Sequence, residues 1–492
     1  MARHELTIPR VEGHLLLVQA DDGQIRVQGS RTRDLERWLW GREPRDALFA
    51  VQSFCADSGV SHALAATLAL DDAMQRSVAP NASAARDLLH SLSLLHGHLR
   101  SLYWQVLPDY LPLGALRNYR GTVSPLEAVA ARLTQSDAPD WAAVRRHPFT
   151  AGEADHLLER MNRVTGALGQ LQQMMAVLGG KFPVVMSLVP GGMTIRLGEA
   201  DVLRLESLLE QVRRVAQEAV VADVMMILKQ VPFLAKLGEG GVDYLSAGSL
   251  GADIAPEAAL FTPGTYVDGT VLPPGNAVGE ALESSFYMVR RQGPPERPVI
   301  VNDSLKPGAY SWVKTPHLQG RIADVGPMAR LAVSHVTGAS SVQAGMVAKI
   351  EAALGRAILD ANTVGGRLLA RAGEVDLLLE HASDLLERLQ PGQPFAEAGP
   401  GLLPGVVHGA AALEAPSGAL QHRVVFENRR IASYDIISPS TWLGAARHPV
   451  HGQGPLELAL NRNGLDLRTP EGALAASRIV HSYAFSMTDA VQ

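Results

Sequence analysis

The stretch that most limits the fold is residues 199–237. Val202, Leu205, Leu208, Leu209, Val212 and Val215 recur there at helical spacing. A helix with such an apolar stripe has to be covered, and other long helices are the natural cover. Pro80-Asn81 opens one that runs to about Leu107, with leucines at 88, 89, 92, 94, 95, 99 and 102. Residues 153–177 form another, stopped by Gly179-Gly180. Residues 341–390 return to helix as one or two segments, the second carrying EVDLLLEHASDLLERL. The predicted fold class is mainly α (α+β): a large helical body with small peripheral β-hairpins near both ends.

The hairpins follow from alternation and turn chemistry. In residues 5–30, HLLLVQA and IRVQG read as strands joined at Asp22-Gly23. A second hairpin pairs LQHRVVF with RIASYDII around Glu427-Asn428. Residues 238–330 are rich in Gly and Pro with weak periodicity, which predicts an irregular layer over the helices. PGQPFAEAGPGLLPG (391–405) reads as a linker-like loop. The expectation is a single unit over 1–492: the hairpin 5–30, a helical core over 60–237 and 341–390, the layer 238–330, and a β/helix segment over 405–492. GGKFPVVMSLVPGG (179–192) is expected to be a buried loop, with Met174, Met175 and Met186 as core filler.

Composition excludes several classes. Cys55 is the one cysteine in 492 residues, so a disulfide framework and any all-cysteine zinc or iron–sulfur site within this chain are out. A net charge of −6 gives no case for nucleic acid or an anionic membrane surface. MARHELTIPR has no apolar core of the signal-peptide kind, and no run approaches the ~20 apolar residues of a spanning helix. A soluble, cytoplasmic protein is expected, although export alongside a signal-bearing partner, or membrane association through one, would leave the same sequence.

Chemistry gathers in DALFAVQSFCADSGVSHALAATLALDDAM (46–74), where Cys55, Ser58 and His62 surround a loop-to-helix junction. First-turn N–H groups there favour a thiolate. A second cysteine at 58 would complete a Cys-x-x-Cys metal corner, but the residue is serine. Cys55 reads either as a structural thiol or as the anchor of a metal fragment with His62 or Asp57 nearby. His62 itself reads as a core histidine, and Asp71-Asp72 as a solvated face. His90, His96 and His98 invite a metal reading, but 96 and 98 diverge on a helix and core or surface roles are expected. Ser58 and Ser486 with His62 hint at a serine–histidine pair. No Gly-x-Ser-x-Gly elbow supports a hydrolase.

Eight strings in order carry a resemblance along nearly the full chain: RVEGH (10–14), GREPRDA to ALDDA (41–73), LLHGHL (94–99), GGKFPVVMSLVPGG (179–192), YSWVKTPHLQGRIADVGPMAR (310–330), EAPSGALQH (414–422), PSTW (439–442) and GPLELAL (454–460). The chain resembles the large subunit of nickel–iron hydrogenases. That resemblance implies a helical body around a buried nickel–iron centre on four thiolates, two from an N-terminal Cys-Gly-x-Cys and two from a C-terminal Asp-Pro-Cys-x-x-Cys. It also implies cyanide and carbon monoxide on the iron, and a separate iron–sulfur small subunit as partner.

The departures fall on the chemistry. Cys55 matches the first cysteine, while Ser58, Ser486 and Asp489 take the other three ligand positions. Ala484 replaces the acid before the C-terminal Pro-Cys. The family's Ala-Pro-Arg reads Ala415-Pro416-Ser417, and its His-Asp-His reads His96-Gly97-His98. Glu12, at the proton-relay and magnesium-linked glutamate, and His62 match as vestiges. A C-terminal magnesium-ligand histidine and a cleaved tail are not among the matched strings. Soft thiolates hold nickel and low-spin iron, and two of the four must bridge them; serine hydroxyls and a carboxylate are poor substitutes. No conventional nickel–iron centre is expected, and an iron–cyanide–carbonyl fragment at Cys55 is the one cofactor left open. Three roles compete: a scaffold working with hydrogenase maturation proteins, a pseudo-subunit paired with a small-subunit-like iron–sulfur protein, and an oxidoreductase with an altered metal site.

Overall fold

The computed structural model describes residues 4–29, 34–55, 58–111, 148–248, 260–272, 278–292, 297–338, 341–397, 399 and 401–490. Four long helices, Pro80–Arg100, Ala151–Gly179, Glu199–Gln230 and Val364–Arg388, pack as a closed ring in which each touches two others. Local chemistry sets their ends. Thr150 caps the 151–179 helix in a reciprocal box with Glu153, and Gly180 stops it in the left-handed region at φ +77. Thr363 caps the 364–388 helix. The 80–100 helix continues through a π turn, Ser101–Val106, and a 3-10 turn, Leu107–Asp109, close to its expected end.

The helix Gly59–Ala73 runs beside this ring. Its small residues let it bury nearly every face, against the helix Pro44–Phe54 and the strands Val406–Ala415 and Gly418–Glu427. Apolar side chains from Leu6 to Ala490 join in one contiguous core. Among the described residues, no helix is long and apolar enough to cross a membrane.

Strand is more plentiful than expected, and the architecture is α+β. The N-terminal hairpin supplies the central strand and one edge of a three-stranded antiparallel sheet, His4–Ile8, Leu15–Gln19 and Ile25–Gly29. Its Asp22-Gly23 turn is as expected, with Gly23 at φ +78 and Gln24 N–H on Asp22. The C-terminal hairpin likewise gains a third strand, Val406–Ala415, paired from Ala415↔Gly418 outward. Both extra strands lacked a β signal: one is five residues followed by Pro9, the other is rich in Ala. The 238–330 layer carries short strands as expected, but the helix Pro327–Thr337 begins inside it.

Two further expectations are corrected. Met174 and Met175 are buried, but Met186 is 47% exposed, because its loop turns it outward beyond the 151–179 helix. Asp71 is not solvated. It is buried on Arg86 at 2.6 Å and accepts Gly191 N–H at 2.7 Å, while Asp72 is exposed. The short helix Pro44–Phe54, left without an element in the sequence reading, is started by Pro44 and a Glu43–Asp46 box.

Candidate metal centre

Cys55 closes the 44–54 helix, its N–H on Val51 O at 3.3 Å, and it is fully buried. Ser58 stands at the N-cap of the 59–73 helix but caps nothing; its hydroxyl donates to Asp489 Oδ1 at 3.1 Å. His62 lies one turn in and donates from Nε2 to the same oxygen at 2.7 Å. Asp489 comes from the short helix Met487–Ala490, which packs on Pro439–Leu443 through Ser438 Oγ donating to Asp489 O at 2.6 Å. Donor atoms of Cys55, His62 and Asp489 thus lie within 4.8 Å of one another, all buried. Asp57 lies outside the described residues.

Ser486 takes another direction. Its hydroxyl donates to Glu12 Oε2 at 3.1 Å and accepts Asp489 N–H at 3.2 Å. Glu12 is half-buried at the rim, its carbonyl accepting Met487 N–H at 2.9 Å. The close approach depends on Gly13: at φ +78, a Cβ there would stand 3.0 Å from Thr488 N. So Cys55, Ser58, His62 and Asp489 are brought together, with Ser486 and Glu12 as a neighbouring pair. The serine–histidine pair does not form, because both Ser58 and His62 are engaged by Asp489.

Two residues the sequence reading did not single out extend the site. His62 Nδ1 meets His422 Nε2 at 2.9 Å, and His422 Nδ1 meets Tyr434 OH at 2.8 Å. The available signal was EAPSGALQH, whose last residue points inward on an alternating strand. Burial alone would push His62 down, but the Cys55 sulfur and the Asp489 carboxylate beside it hold it up at about 10. Burial and the charge on His62 hold His422 well below its ordinary value. Burial raises Asp489, yet its bonds from His62 and Ser58 leave it below the usual carboxylate range. A doubly protonated His62 donates through both nitrogens, so its Nδ1–H points to His422 and the His422 Nδ1–H to Tyr434.

His90, His96 and His98 do not converge. His90 bonds Glu414 O at 2.6 Å, His98 bonds Glu374 Oε2 at 2.8 Å, and His96 stands edge-on to Phe182. Glu374 belongs to a buried knot in which Arg330 Nε donates to it at 2.7 Å and Arg330 also bonds Glu414. Between His96 and His98, Gly97 presses on Pro416: a Cβ at 97 would stand 2.5 Å from the proline ring. A carboxylate side chain at 97 has no room with Pro416 so placed.

A four-thiolate centre does not fit these residues. One sulfur is present, Ser58 is committed to Asp489, and Ser486 faces Glu12.

Comparison with known proteins gives a consistent picture. The sequence profile of the nickel-dependent hydrogenase family matches residues 33–147 and 154–491. The periplasmic [NiFeSe] hydrogenase large subunit of Desulfomicrobium baculatum is 27% identical, over 97% of this chain and 92% of that one. The hydrogenase-2 large chain of Escherichia coli K12 is 26% identical, over 98% and 96%. A crystal structure of the Dm. baculatum [NiFeSe]-hydrogenase superposes over 100% of both chains with a TM-score of 0.84 at 24% identity, which speaks for the fold. The chain belongs to the nickel-dependent hydrogenase family, and it does so with a single cysteine.

Proposed function

We propose that this protein is a catalytically silent large-subunit-like member of the family that serves as a structural partner of an iron–sulfur small-subunit-like protein. One observation carries the reading: the four positions where the resemblance calls for thiolates hold one sulfur and a set of oxygens bonded to one another and to Glu12. A scaffold that builds and hands over a metal fragment needs an open cradle. Here Cys55 is 0% exposed, and the cavity beside the start of the 59–73 helix is lined by Gly59 and Val60 but not by Cys55, His62 or Asp489. This favours a subunit role over one with maturation proteins. A cytoplasmic location, or a membrane one reached through the partner, suits the same reading.

The test is purification of the full chain from its native host. Nickel analysis, an infrared spectrum and hydrogen-dependent dye reduction are run on the same sample. The expected result is no nickel, no carbonyl or cyanide bands, no hydrogen uptake, and an equimolar cluster-bearing protein. Stoichiometric nickel with hydrogen uptake would overturn the reading.

A further inference from the structure

We propose that the remade pocket is a mononuclear site for one divalent cation of the zinc type, held by Cys55 Sγ, His62 Nε2 and Asp489, with the Ser58 hydroxyl beside the fourth position. The inference rests on the reading that the four-thiolate centre is not housed. It adds a ligand set in which His62 and Asp489 are donors.

Three observations support it. First, the three donor atoms come from three separate segments, yet lie within 4.8 Å of one another in a fully buried space. One thiolate, one imidazole and one carboxylate suit a borderline ion without geometric preference, which binds three protein ligands and one further oxygen. Second, the outer shell is built. His62 holds Nδ1 against His422 Nε2 at 2.9 Å, and His422 holds Tyr434 at 2.8 Å, the usual way a ligating imidazole is fixed through its other nitrogen. Asp489 is fixed by Ser486 on its N–H and by Ser438 on its carbonyl. Third, the charges close: a thiolate and a carboxylate balance one divalent ion.

The ion would tie the junction at 55–62 to the chain's last helix. Because the site is sealed, loading precedes docking of the 487–490 helix.

The experiment uses the full chain produced in medium supplied with zinc, and separately with cobalt(II). The expected result is one zinc per chain after gel filtration and, with cobalt, a thiolate-to-metal charge-transfer band. X-ray absorption of the zinc form should show one sulfur at about 2.3 Å and nitrogen or oxygen at about 2.0 Å. Cys55→Ser should abolish the cobalt band, and His422→Ala should lower zinc affinity about 10–100-fold. Wild-type protein that carries no zinc, or zinc with a sulfur-free shell, overturns the inference without relying on any variant. Nickel with carbonyl and cyanide bands would instead overturn the reading beneath it. Absence of every metal would leave that reading standing and this inference refuted.

Discussion

Buried carboxyl groups show how single residues respond to a setting the sequence does not print. Glu457 lies in GPLELAL and was legible only as part of a matched string. It is buried and accepts bonds from Val27 N–H at 2.9 Å and Tyr310 OH at 2.8 Å. Burial pushes it up to about 7 from 4.5. The folded chain therefore keeps a proton that the unfolded chain gives up. The contribution of Glu457 to stability is full below about pH 4.5 and is lost as pH rises to about 7, by about 3 kcal/mol in total. Glu457→Gln keeps an acceptor for both donors and should flatten that decline, as read by urea denaturation at a series of pH values. An unchanged slope would show that Glu457 does not hold the proton. At the candidate site, Cys55, Ser58, Ser486 and Asp489 were named from strings alone. His422 and Tyr434 were not, because only the pairing of the 59–73 helix with the C-terminal sheet brings them to His62. Asp71 escaped for the same reason, its partner Arg86 lying on another helix.

Among the elements, the long helices were the most legible, since leucine spacing and glycine stops report directly on them. Short strands were the least, because Ala-rich Val406–Ala415 is a strand only by virtue of the partner beside it. Gly97 illustrates how packing outranks propensity. In a helix interior, glycine to alanine ordinarily gains about 1 kcal/mol. Here the new methyl would fall 2.5 Å from Pro416. Gly97→Ala should therefore destabilise by about 1–3 kcal/mol, and Gly97→Asp by more. Gly166, on the neighbouring 151–179 helix with nothing within 4 Å, supplies the control: Gly166→Ala should stabilise. Thermal unfolding of the two alanine variants decides it; equal shifts would mean that Pro416 yields.

For the molecule as a whole, the dominant fact is how far apart in sequence its joining residues lie. Arg330 binds Glu374 and Glu414 across helix, helix and strand, and all three are buried. Removing the cation leaves two buried carboxylates without the guanidinium that bridges them, so Arg330→Ala should cost about 3–5 kcal/mol in chemical denaturation. A loss below about 1 kcal/mol, the scale of an exposed pair, would show the knot is solvated. The N-terminal sheet and the last helix meet in the same manner, with Glu12 O on Met487 N–H. Truncation after Phe485 should open this joint, and a thiol reagent should then label Cys55 under native conditions. In the intact chain, where Cys55 is 0% exposed, labelling should wait on unfolding.

The bond from Ser58 to Asp489 spans 431 positions. A nascent polypeptide makes Cys55 and His62 long before it makes Asp489. The pocket therefore cannot exist while the helices around Cys55 first form. It comes into being only once the 486–490 segment has been made and folds back onto the 59–73 helix.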